Sequence, residues 1–154
     1  MAKHTVQEAA GTFLSHSFAL TYEDLQAIGN GGQKTLFSLP AGSGVLATVV
    51  KERVAFAGTS TLVIDVGTTA GDPDEFINAL DVDGMSGSVA NTGDLFVQGA
   101  GNTTIAGGAL PVSIVDAATP VLLEVTDANI ASATAGEIVV SFLVIDWSKI
   151  EAGS

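Results

Sequence analysis

Short runs of Val, Ile, Leu, Thr and Phe, interrupted by glycine every few residues, constrain this chain's fold more than any motif it contains. Glycine supplies 18 of 154 residues, well above the ~7% of an average protein. Apolar runs too short for helices, bounded by turn residues, are strands joined by turns. Thr35–Leu39 is one, closed by Pro40-Ala-Gly-Ser-Gly44. Val45–Ala57 is a long strand with Leu46, Val50, Val54 and Phe56 on one face, Thr48 and Glu52 among them. Val45, Ala47 and Val49 form its other face, which ends in Lys51 and Arg53; a bulge midway reconciles the change from apolar to charged. Thr61–Val66 alternates with period two, Leu62, Ile64 and Val66 facing inward. Pro120–Val125 has its proline at the strand start, where a missing N–H is tolerated. Glu137–Trp147 is mostly apolar on both sides, as expected of a strand between layers or at a subunit contact. Weaker strands are expected at 95–97, 104–106 and 112–115.

Two helical excursions interrupt this pattern. Thr21 suits an N-cap for Tyr22–Ile28, with Gly29 as the stop. Asp72-Pro-Asp-Glu75 has the Asp, Pro, Glu order of a helix start, which would turn Phe76, Ile77 and Leu80 toward the core. About eight strands with two short helical turns predict an all-β fold, a β-sandwich of jelly-roll type. Residues 1–12 are polar and small without periodicity and read as a flexible N-terminal arm; residues 13–150 read as one sandwich domain and 151–154 as a free tail.

Composition removes several function classes. Seventeen acidic against five basic side chains, a formal charge of -12, oppose nucleic-acid binding, because Lys and Arg supply phosphate contacts. The absence of cysteine removes disulfides, thiol nucleophiles and Cys-ligated metals. His4 and His16 are too few for a His-based metal site or a Ser-His-Asp triad, and both read as polar arm or surface residues. The N-terminal stretch lacks the apolar core of a secretory signal, and the longest apolar run, Ile138–Ile145, is far short of the ~18–20 residues of a membrane-spanning helix.

No catalytic, cofactor-binding or metal residue is assigned. Gly99-Ala-Gly101 looks like the start of a dinucleotide-binding fingerprint, but position 104 is Thr and no adequate helix follows, so it reads as a turn. Asp72, Asp74, Asp81 and Asp83 form the densest acidic cluster and could hold Ca²⁺ through hard oxygen ligands. The glycine and terminal Glu of a calcium loop are misplaced or missing, and Asp is equally a cap and turn residue. No spacing singles out a carboxylate pair for glycoside hydrolysis, and one Trp and one Tyr give few stacking platforms. Lys51 and Arg53 read as a solvated patch at a sheet edge, with contact to an acidic neighbour as the sharper alternative. Trp147 reads as a core or interface anchor.

Three stretches carry a resemblance. They are Leu39-Pro-Ala-Gly-Ser-Gly-Val-Leu; Leu62-Val-Ile-Asp-Val-Gly-Thr with Asp72-Pro-Asp-Glu-Phe-Ile-Asn-Ala; and Ala133-Thr-Ala-Gly-Glu-Ile-Val-Val. From residue 35 onward, over about two thirds of its length, the chain resembles small head structural proteins of tailed bacteriophages, which tend to show "DVG…DPDGF" where this chain has Glu75 in place of the Gly. The resemblance implies a capsid decoration, or cement, protein, not an enzyme. It would be made in the host cytoplasm and carried on the outer capsid surface, bound to the major capsid protein, often as a homotrimer, with no cofactor and no nucleic-acid or membrane partner. The rival readings are a host-recognition or adhesin sandwich of the virion, with Ca²⁺ at the Asp cluster, and an enzyme built on an unrecognised carboxylate pair.

Overall fold

The structure, a computed structural model, describes residues 3–9, 13–85, 89–91 and 114–146. Their strands are β1 (Lys3–Ala9), β2 (Phe13–Thr21), β3 (Gly32–Leu39), β4 (Ser43–Ala57), β5 (Val63–Gly67), β6 (Ile77–Asp81), β7 (Val89–Asn91), β8 (Thr119–Thr126) and β9 (Ala135–Asp146). They form a five-stranded sheet in the order β1-β2-β9-β4-β7 and a four-stranded sheet in the order β3-β8-β5-β6. All paired neighbours are antiparallel, and the buried side chains of both sheets form one apolar cluster, giving an all-β sandwich.

Period-two patterning decides which side chains fill that core. Along β9, Ile138, Val140, Phe142 and Val144 point inward and are essentially inaccessible to water; burying each is worth about 1.5–3 kcal/mol. Against them pack Phe18 and Leu20 from β2, Val50 from β4, and Ile64, Val66, Val121, Leu123 and Val125 from the facing sheet. The bulge expected midway along β4 is not there, since pairing with β9 is unbroken from Ala47 to Glu52; the strand instead changes phase nearer its two ends. Ser43 and Val45 point inward, then Thr48, Val50 and Glu52, because the register slips between Val45 and Ala47. The slip separates Leu46 from the face it was expected to share with Val50. A second slip, between Glu52 and Val54, leaves both Arg53 and Val54 exposed.

The helix α1 (Tyr22–Ile28) forms as predicted. The Thr21 hydroxyl accepts the Asp24 N–H, and the Asp24 carboxylate accepts the Thr21 N–H, a reciprocal capping box. Gly29, at φ +80, ends the helix and donates its N–H to the Leu25 carbonyl. The second expected helix does not form. Residues 72–74 are irregular and Ile77–Asp81 is β6. Glu75 does not turn back to cap a helix of its own; its carboxylate takes the Thr68 N–H at 2.7 Å and the Thr69 hydroxyl. The Phe76 N–H then bonds the Val66 carbonyl, so the chain leaves the turn already paired to β5. Phe76 and Ile77 are nevertheless buried, as their hydrophobicity requires.

The N-terminal region also departs from expectation. Lys3–Ala9, read as part of an arm, is a strand paired residue for residue with β2. His16, read as a surface or arm residue, is 9% exposed and stacks on Phe37 at 4.3 Å. It is aligned with Phe18 and Leu20 on the inner face of β2. The strands expected at 95–97 and 104–106, the turn at Gly99–Gly101, His4's side chain, Trp147 and the tail at 151–154 lie outside what is described. Of 112–115, Ile114 and Val115 are irregular, though Val115 exchanges backbone bonds with Gly42 and Ser43.

Candidate functional site

Most of the carboxylates singled out in the sequence hold turns. The Asp81 carboxylate accepts the N–H groups of Asp83 and Gly84 at 3.1 and 3.2 Å. Asp83 accepts the Thr59 hydroxyl at 2.8 Å, and Asp74 accepts the Asn78 amide at 3.0 Å. Asp72 joins the turn through its backbone, its carbonyl accepting the Asp74 N–H. Among the described residues no three His, Asp or Glu side chains converge as metal ligands, so the structure does not bring Asp72, Asp74, Asp81 and Asp83 together. Asp127 and Glu75 each accept several hydrogen bonds, and Asp127 is the more deeply buried. It is 2% exposed and accepts the Ser60 hydroxyl at 2.5 Å, the Asn129 N–H at 2.9 Å and the Ser60 N–H at 3.3 Å. Burial alone would raise its pKa, but the Ser60 hydroxyl and the surrounding N–H groups hold it below the ordinary value. Glu75 and Asp24 follow the same logic: burial opposes ionisation, and the bonds from Thr69 and Thr68, or from Thr21, outweigh it.

The outer face of the four-stranded sheet is acidic by register. Asp65 on β5 lies directly opposite Glu124 on β8, a like-charge cross-strand pair that costs stability. Glu124 is engaged by Gln33 from the next strand at 2.6 Å, and Asp65 accepts the Ala79 N–H at 2.5 Å. Burial and the charges of Glu124, Asp74 and Asp72 raise the Asp65 pKa despite the Ala79 bond.

The outer face of the five-stranded sheet has the opposite character. Ala47, Val49, Val139, Ser141 and Ala19 are half-buried there and Leu143 is 38% exposed, giving a flat surface of small and apolar side chains. Its cations gather at one end. The register runs Lys3–Ala19–Val139–Lys51 across β1, β2, β9 and β4, and Arg53 follows on β4. Lys51 pairs through its backbone with Val139 on one side and Val89 on the other, so the basic pair lies on an interior strand and not, as expected, at a sheet edge. Arg53 bonds Glu137 at 2.9 Å with more than half of its side chain exposed. Lys3, Ala19, Thr21, Arg53 and Glu137 line a shallow depression of about 230 Å³ at this end of the face. Lys3 was not singled out in the sequence, because only the strand order brings it to Arg53.

No protein-family model and no curated protein matches the sequence. Among solved structures, the fold is similar to a chain in the acidic stable capsid structure of Helicobacter pylori bacteriophage KHP30, at a TM-score of 0.54 and 18% identity, covering 94% of this chain and 93% of that one. A chain in the capsid asymmetric unit of cyanophage Pam1 aligns at a TM-score of 0.49 and 20% identity, covering 94% of this chain and 85% of that one. The fold of this chain is therefore similar to that of a chain in a phage capsid structure, in an alignment that covers 94% of its length.

Proposed function

We propose that this protein is a structural component of a bacteriophage virion: a decoration protein that binds the major capsid protein on the outer surface of the head as a homotrimer and stabilises it. The observation that carries this reading is the end-to-end likeness of its sandwich to a chain in a phage capsid structure. The three turn-and-strand stretches that resemble phage head proteins support it independently. A net charge of -12 favours a position away from packaged DNA and keeps the free protein soluble before assembly. The carboxylates detailed above are committed to caps, turns and a cross-strand pair, which suits a scaffold more than a catalyst.

Light scattering of the purified protein and co-sedimentation with undecorated heads test the reading together. A trimer that pellets with the heads and raises their melting temperature is expected. A strict monomer that stays in the supernatant overturns it.

A further inference from the structure

We propose that the outer face of the five-stranded sheet is the docking surface of this protein, and that it takes an acidic surface of a neighbouring protein with a carboxylate seated between Lys3 and Arg53. The proposal deepens the decoration reading by naming the face that would meet the capsid. Its first support is charge placement. The chain has only five Lys and Arg, and three of them, Lys3, Lys51 and Arg53, lie at one end of this face. Lys3 and Lys51 sit three strands apart in one row, about 14 Å at the usual strand spacing. The opposite face of the sandwich carries the Asp65–Glu124 pair, so among the described residues the two faces differ in the sign of their clustered charge. A partner with acidic side chains is attracted by one face and repelled by the other.

The second support is the surface beside the cations. Ala19, Ala47, Val49, Val139, Ser141 and Leu143 are short or apolar, and none needs to shed a charge on burial. An interface centre depleted in charge with a charged rim is the arrangement specific protein contacts use. Arg53 supplies the directional part. Its bond to Glu137 fixes the guanidinium at the wall of the depression, and a planar fork held in this way suits a second carboxylate. Lys3 closes the opposite wall as a point charge.

The test pairs a charge reversal on this face with a control on the other. K3E/K51E changes two exposed side chains, leaves the Arg53–Glu137 bond in place, and should melt within ~2 °C of the parent. E124Q alters the acidic face. In co-sedimentation with undecorated heads, K3E/K51E is expected to bind at least about tenfold more weakly, and E124Q like the parent, with parent binding falling as salt is raised. If K3E/K51E binds heads as tightly as the parent, this face is not the docking surface, while the decoration reading stands. If the parent does not bind heads, the decoration reading falls and a second measurement decides the face. Hexaglutamate peptide is titrated into the labelled protein and followed by amide chemical shifts. Shifts centred on Ala19, Thr21 and Val139 and lost in K3E/K51E uphold the acidic-partner site; shifts elsewhere, or none, overturn it.

Discussion

Replacing Asp127 with Ala should destabilise the fold more than any other single carboxylate change at the turns. The side chain is 2% exposed and links three segments: the turn at Ser60, the end of β8 and the turn at Asn129. Asp127→Ala leaves the part-buried Asn129 N–H and Ser60 hydroxyl without their acceptor. A hydrogen bond to a charged group is worth about 1.5–3 kcal/mol, and bonds sharing one acceptor do not add fully, so the expected loss is about 3 kcal/mol. For a chain of this length that lowers the melting temperature by roughly 6–12 °C. The pH dependence gives a second signature. The folded-state pKa of Asp127 is lowered, so its contribution is complete above the ordinary carboxylate value of 3.8 and is lost as pH falls through the folded value. Asp127→Asn cannot ionise and should lack that part of the acid limb. Thermal denaturation monitored by circular dichroism from pH 2 to 7 measures both effects. A melting temperature for Asp127→Ala within 2 °C of the parent at neutral pH would refute the reasoning.

Other outcomes follow from single contacts. Asp65 has a raised pKa, so the sign is reversed: the folded state holds its proton more tightly, and stability declines as pH rises from 3.8 through the folded value. Asp65→Asn keeps an oxygen for the Ala79 N–H and removes the charge facing Glu124, so it should add about 0.5–1 kcal/mol at neutral pH and flatten that decline in denaturant titrations. Gly136 lies at φ +137 under the Phe56 ring, where an added Cβ collides with the ring, whereas Gly71 lies at φ +91 with open space around it. Gly71→Ala should cost about 1 kcal/mol from backbone strain alone, and Gly136→Ala at least about 2–3 kcal/mol, the difference measured by chemical denaturation reporting the Phe56 contact.

The parts of this fold that could be read from sequence are those where one local signal sufficed. β4, β5 and β9 combine β-branched alternation with glycine at an end, β8 has a proline at its start, and the Thr21 cap and Gly29 stop delimit α1. β2 escaped although Phe13–Thr21 alternates, because its outer residues are Ser15, Ser17 and Ala19 and its inner set includes His16. Small outer residues blur the polar half of the pattern, and a histidine in an aromatic stack does not announce itself as core. β1 has no apolar face of its own and exists through its backbone pairing with β2, which composition does not report. At Asp72–Glu75 the local helix-start signal was genuine but lost to tertiary pairing, since Glu75 found the Thr68–Thr69 turn and Phe76 found β5. Of the candidate docking face, Lys51 and Arg53 were visible as a pair on one strand face. Their approach to Lys3, and the meeting of Asp65 with Glu124, depend on strand order and register between distant segments.

Cryo-electron microscopy of purified particles, with mass spectrometry of the same preparation, tests the virion assignment most directly. The chain should be among the particle proteins, and a two-sheet sandwich should repeat on the outer capsid lattice with its five-stranded sheet turned toward the shell. Particles that lack the chain, or that carry it only on the tail, would contradict the assignment.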